Sequence, residues 1–232
     1  MPREERNRQF KIYRIHFPNH YEVRTSDNKI LLYGENSVWT PGKPDLILYA
    51  GSDKSAAPIV GVCEYKKLSD DMALCLGNPD DPLNATWESM DRTSLLGVQY
   101  HLTMSVEPPD LPEHLSSHFA RRRTLVWKKT HKVAVQGKSV SSLTHQNYKL
   151  IDAETRRTVA VFTASKKMSI KSGTLQIVED YGRAKPQFFT MIILSCLSLY
   201  EKVRRAHISL AGASVTAAGA GAGTGIGVAS TS

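Results

Sequence analysis

Phe188-Phe189-Thr190-Met191-Ile192-Ile193-Leu194-Ser195-Cys196-Leu197-Ser198-Leu199-Tyr200-Glu201-Lys202-Val203 is the stretch whose reading decides the fold. Residues 188–200 carry no formal charge, and only Thr190, Ser195 and Ser198 are clearly polar. Apolar side chains fall on every face of the helix this stretch would form, and a helix apolar all round is buried on all sides. Two surroundings meet that demand, a bilayer and a protein core. A span needs about 20 apolar residues, whereas runs of about 10–14 are core helices. Glu201 and Lys202 close this run abruptly. The pattern therefore predicts a buried core helix over 187–205 and no transmembrane segment. Pro186 suits the first turn, where a missing amide donor costs nothing. Lys202, Arg204 and Arg205 are expected to complement the negative end of the helix dipole where the helix emerges into solvent.

Upstream of the helix the chain reads as strands. Phe10-Lys11-Ile12-Tyr13-Arg14-Ile15-His16-Phe17 alternates apolar and polar residues, the period of a half-buried strand. Tyr21-Glu22-Val23-Arg24 follows a Pro18-Asn19-His20 break, and Ser26-Asp27-Asn28 is turn chemistry leading into Ile30-Leu31-Leu32-Tyr33. Residues 46–49 and 59–65 form an expected hairpin around the polar loop 51–58. The middle is less regular: 77–82 is a loop, because two prolines and an Asn/Asp cluster leave no regular element, and 87–90 is a short strand. Residues 96–106 form a long, well-alternating strand. Pro108, Pro109 and Pro112 then mark 107–118 as an insertion or boundary. Strands are expected again at 123–127, 148–152, 158–162 and 173–178, with a polar loop running from the first of these to about Ser142. The hairpins at 21–33 and 148–162 share a Tyr-led strand, a turn and an apolar strand, an approximate repeat that predicts two related sheets closing on one another. A barrel of strands with the helix through its middle satisfies the burial requirement.

The chain has 232 residues with 41% hydrophobic and 22% charged content, enough for a sizeable core. The expected organisation is a flexible N-terminus over 1–9, a single barrel domain over 10–207, and a disordered Gly/Ala/Ser/Thr tail over 208–232, too poor in large apolar residues to offset its ordering entropy. Cys63, Cys75 and Cys196 are widely spaced, form no CxxC pair and read as reduced, buried thiols. Residues 1–9 are charged, without the apolar core of a secretory signal, and Glu4 and Glu5 argue against a mitochondrial presequence. A cytoplasmic protein, peripheral to membranes if it meets them, is expected.

Several stretches carry a family resemblance: Tyr148-Lys149-Leu150-Ile151-Asp152, Val159-Ala160-Val161-Phe162, Gly173-Thr174-Leu175-Gln176-Ile177, Thr190-Met191-Ile192-Ile193-Leu194-Ser195, and Glu201-Lys202 with Arg204-Arg205. With the all-β chain before them, they make this protein resemble the tubby C-terminal-like superfamily, which includes tubby proteins, LURP-one-related proteins and phospholipid scramblases. The likeness is to uncharacterised fungal members and covers residues 120–206 in detail and the first half in outline. It implies a mainly β fold, a closed antiparallel barrel of about twelve strands around a central apolar C-terminal helix, a closure that removes edge strands. No position matches the phosphoinositide-binding residues of tubby proteins, so none is carried over. The scramblases' cysteine-rich acylation stretch and membrane-spanning tail have no counterpart here.

The net charge of +8 favours polyanionic partners. Between His114 and Ile151 there is no Asp or Glu, and Arg121, Arg122, Arg123, Lys128, Lys129, Lys132, Lys138 and Lys149 all fall there. Arg121, Arg122, Arg123, Lys128, Lys129 and Lys132 are the candidate anion-binding residues. Clustered Lys and Arg attract anionic head groups at about 1 kcal/mol each near a membrane surface, and Phe119 and Trp127 would flank such an interface. The bland reading is that strand alternation splits these charges over two faces as a solvated surface. Lys166, Lys167 and Lys171 would extend the patch if the sheet brought them near Arg121, Arg122 and Arg123.

No enzyme signature is present: no GxSxG, no P-loop, and a Gly-rich 219–227 that follows no strand. His114 and His118 lack HExxH placement and a third ligand, and Asp70-Asp71 and Asp80-Asp81 lack EF-hand spacing. No metal or cofactor is expected. The expected function is a non-catalytic binding or scaffold domain for anionic phospholipid such as phosphoinositide. The alternatives are a nucleic-acid or acidic-protein module, for which only Trp127 offers an aromatic, and an enzyme with its pocket at the barrel end, which a lumen-filling helix disfavours.

Overall fold

A computed structural model describes residues 8–15, 20–37, 40–94, 98–106, 121–136, 146–165, 171–178 and 186–219. The strands are β1 (Arg8–Ile15), β2 (His20–Arg24), β3 (Ile30–Asn36), β4 (Leu46–Ala50), β5 (Ile59–Tyr65), β6 (Met72–Leu76), β7 (Thr86–Arg92), β8 (Gln99–Val106), β9 (Arg121–Lys129), β10 (Tyr148–Asp152), β11 (Thr158–Ala164) and β12 (Lys171–Ile177), and the helix is α1 (Pro186–Gly219). Each strand pairs antiparallel with the next, and β12 returns to pair with β1 from Arg8↔Ile177 to Tyr13↔Lys171, so the sheet closes as a twelve-stranded barrel. Closure gives every strand a partner on both sides. The closed twelve-stranded antiparallel barrel is thus the expected one, with the first part of α1 as its central helix, but β6 has no counterpart among the expected strands.

The alternation read from the sequence is the inside–outside alternation of the wall. Phe10 and Ile12, Tyr21 and Val23, and Tyr100, Leu102, Met104 and Val106 are all buried. Inside the barrel lies the first part of α1, up to Ser198. From Met191 to Ser198 every residue is buried, more than two turns at about 3.6 residues per turn, so no face of this part of the helix meets water. Its contacts come from three sides. Arg8 of β1 lies over the Phe189 ring at 4.4 Å, the Tyr65 hydroxyl at the end of β5 donates to the Ser198 carbonyl at 2.9 Å, and the Trp127 indole of β9 donates to Ser195 Oγ at 3.0 Å. β1, β5 and β9 are each four strands apart around the barrel. Gly61 of β5 lets the helix approach closely: a Cβ there would lie 3.2 Å from the Leu194 side chain and 3.1 Å from the Cys75 carbonyl.

Several expectations need adjusting. β6 has no alternation to read, because Met72 and Leu74 are buried on one face and Cys75 on the other, beside Ile47 and Val62. The hairpins at 21–33 and 148–162 are β2–β3 and β10–β11, both as paired. They belong to one continuous sheet, eight strands apart in chain order, where two equivalent halves would need six. Residues 107–120 lie outside the described residues, but β8 and β9 on either side pair from Gln99↔Lys128 to Val106↔Arg121, so this stretch is an insertion between neighbouring strands. The polar loop after β9 begins as a strap over the outer wall. The Val135 amide donates to Thr163 Oγ1 at 2.9 Å and the Gln136 amide to Gln176 Oε1 at 2.7 Å, which is why Val135, Thr163, Thr174 and Gln176 are buried.

The chain forms two compact units, Met1–Ser198 and Leu199–Ser232, divided within α1. The helix does not end near Arg205. It continues to Gly219, through the part of the tail expected to be disordered, where alanines of high helix propensity recur. Residues 220–232 lie outside the described residues. Arg204 and Arg205 therefore do not sit at a helix terminus. Both instead bind the buried Glu201 carboxylate, at 2.6 Å and 2.9 Å, as neighbours one turn away.

Candidate functional site

The candidate cations are dispersed by the geometry of β9. Odd residues of this strand point inward with Leu125 and Trp127, and the strand's rise of about 3.3 Å per residue puts Arg121 about 26 Å from Lys129. Arg121, Arg122 and Arg123 thus stand at the proximal mouth of the barrel, where α1 begins, while Lys128, Lys129 and Lys132 stand at the distal mouth. The six do not form one patch. Lys171 opens β12 at the distal mouth, so it does not adjoin Arg121, Arg122 and Arg123; Phe119, Lys138, Lys166, Lys167, His114 and His118 lie outside the described residues.

Two of the three arginines are already matched. Arg122 clasps the Glu88 carboxylate with both terminal nitrogens at 2.7 Å, in the bidentate geometry that makes such pairs strong. Arg123 binds Asp152 at 2.9 Å and Glu154 at 3.3 Å. Asp152 is fully buried and also accepts the Glu154 and Thr155 amides at 2.7 and 2.9 Å, closing the β10–β11 turn. Trp127 is fully buried against the helix. It is not an interface anchor, nor is it an exposed platform for a nucleic-acid base.

The lysines are different. Lys128 stands directly opposite Lys149 in the β9–β10 register, on the outer face, at a spacing where like charges repel. Among the described residues neither they nor Lys129 nor Lys132 has a carboxylate within ion-pair distance. Elsewhere on the wall Lys43 and Lys54 lie 2.9 and 3.1 Å from Glu35. Burial pushes the Glu35 carboxyl up, but the two ammonium groups outweigh it and hold the carboxyl below its ordinary value. At the same distal mouth the β5–β6 turn presents Lys66, Lys67 and a fully exposed Leu68, a tip with no signal in the sequence pattern.

The acidic pairs have structural partners: Asp70 pairs with the Arg92 guanidinium, Asp71 accepts the Arg92 amide at 2.9 Å, and Asp81 accepts the Asn84 side-chain amide at 2.8 Å. Among the described residues no group of three His, Cys, Asp or Glu side chains is placed to hold a metal ion. All three cysteines are buried thiols, and burial pushes the Cys196 thiol well up.

A cleft of about 390 Å³ opens at the proximal mouth, although the helix was expected to leave no space of useful volume. It arises because β7 pairs with β6 from Thr86 to Met90 but with β8 only from Met90 to Arg92, so the two strands part towards this mouth. Ser105, Thr86 and Glu88 flank the split, and the first turn of α1 forms its inner wall. These residues come from separate elements, and no local pattern marks them.

Among the described residues no helix is long and apolar enough to cross a membrane. No family model matches this chain, and no curated protein matches it.

Proposed function

We propose that this protein is a non-catalytic binding module that docks its distal mouth on anionic membrane surfaces, with phosphoinositide head groups as the ligand and the cytoplasmic face of a membrane as the place. The carrying observation is the cross-strand pair Lys128↔Lys149 on the outer face, with Lys129 and Lys132 following along the chain at the same mouth, a set of cations that no carboxylate among the described residues offsets. An anionic head group relieves the repulsion within that set. Leu68, exposed between Lys67 and Ser69 at the same mouth, supplies an apolar tip for the interface. The resemblance to tubby-like proteins is consistent with this reading and independent of the lysines. The proximal arginines contribute less than their number in the sequence implies, since Arg122 and Arg123 are matched by Glu88, Asp152 and Glu154.

Sedimentation with phosphatidylcholine vesicles, with and without phosphatidylinositol 4,5-bisphosphate, tests the reading. Loss of two lysines near the surface is worth about 2 kcal/mol, roughly thirtyfold in affinity. Lys128→Glu with Lys132→Glu should weaken binding by at least that, and Arg121→Glu should leave it within about twofold. Equal binding to neutral vesicles, or none to either, would refute the proposal.

A further inference from the structure

We infer that the proximal cleft is a binding site for an uncharged single-chain amphiphile, an alkyl or acyl chain carrying a neutral hydrogen-bonding head. This goes beyond the membrane-docking reading, concerns the opposite mouth, and involves none of the same residues.

The cleft's volume of about 390 Å³ falls within the roughly 300–1,000 Å³ of small-molecule sites, which are mostly apolar with a few placed polar groups. Its depth is apolar: Leu76, Met104, Val106, Phe188 and Met191 line it. All except half-buried Leu76 are buried from solvent. A chain lying there removes apolar surface from water at about 0.8 kcal/mol per methylene.

The cleft's charge selects the head group. Among the described residues its one carboxylate, Glu88, is buried and engaged at both oxygens by Arg122, so that part of the wall is electrically balanced. The other polar groups lining it are hydroxyls and amides, those of Asn84, Thr86, Ser105, Gln187 and Thr190. Such groups match an alcohol or ester head by hydrogen bonding. A carboxylate placed beside Glu88, or an ammonium beside Arg122, would meet a like charge with no counter-charge to offset its desolvation. The split between β7 and β8 gives a lateral way in from the mouth without disturbing the ladders on either side, which stay fully paired.

The test is isothermal titration of the whole chain with decyl compounds below their critical micelle concentrations. 1-Decanoylglycerol should bind one per chain, with decanoate and decyltrimethylammonium at least tenfold weaker. Ser105→Trp and Thr86→Trp, at exposed positions on opposite sides of the split, should each weaken 1-decanoylglycerol at least tenfold without changing the far-UV spectrum. Two variants on separate strands ensure a reading if one misfolds, and the comparison of the three ligands needs no variant. Lys128→Glu should leave the affinity unchanged, which separates this site from the membrane-docking surface. Absence of binding, decanoate binding as tightly as 1-decanoylglycerol, or affinity that survives both tryptophans would overturn the proposal. So would binding seen only when the amphiphile is embedded in phosphatidylcholine vesicles, which would make a bilayer the target.

Discussion

Removing the Ser195 hydroxyl should destabilise the barrel through a residue 68 positions away. The Trp127 indole N–H donates to Ser195 Oγ at 3.0 Å in a site from which water is excluded, while the same hydroxyl donates to the Ile192 carbonyl at 3.0 Å. Ser195→Ala leaves the indole donor buried without an acceptor, a cost of about 1–3 kcal/mol. Alanine's better helix propensity returns about 0.5 kcal/mol, so the net loss should be about 0.5–2.5 kcal/mol. Trp127→Phe removes the donor and part of a fully buried ring, costing on the order of 2 kcal/mol or more through the space it leaves. In the Trp127→Phe background no donor remains to be orphaned, so Ser195→Ala should then keep only the propensity gain of about 0.5 kcal/mol. The two substitutions should therefore couple by about 1–3 kcal/mol in a double-mutant cycle. Urea unfolding followed by far-UV circular dichroism, with an unchanged slope against denaturant, reads this out. Additivity within about 0.5 kcal/mol would refute the reasoning, and with it the placement of this face of the helix against β9.

Gly173→Ala should cost about 1–3 kcal/mol by overpacking, since a Cβ at this position would overlap the Phe162 ring and lie 2.7 Å from the Thr163 carbonyl. Phe162→Leu in the same chain should recover part of the loss, and a urea midpoint unchanged by Gly173→Ala alone would contradict the packing. Burial pushes the Tyr100 hydroxyl up to about 12, against an ordinary value near 10 for the unfolded chain. The unfolded state therefore releases its proton first, and stability intact below pH 10 should fall by about 2–3 kcal/mol as pH rises to about 12. Tyr100→Phe should flatten that part of the slope in melts at pH 9 and pH 12, and equal slopes in the two proteins would exclude it.

Local pattern carried much of the architecture because local pattern reports burial. Phe10 to Ile15 alternates because one face of β1 looks inward, and Phe188 to Ser198 does not because this part of α1 is enclosed. β6 was illegible for the same reason: Met72, Leu74 and Cys75 are covered on both faces, so no alternation remained. The site was harder still. A run of like charges in the sequence says nothing of what faces it, and the partners of Arg122 and Arg123 arrive from Glu88 on β7 and Asp152 on β10. Trp127, which flanks the same run, owes its burial to residue parity with Leu125 and to a serine on the helix.

From the sequence alone follow the strand periodicity, the enclosed helix and the excess of positive charge, because each depends on residues within a few positions of one another. The tertiary structure alone decided which cations are matched, that Lys128 meets Lys149 across the β9–β10 ladder, and that β7 and β8 part to leave a cleft. Register and closure bring together side chains from distant strands, and electrostatics and free volume depend on those neighbours in space.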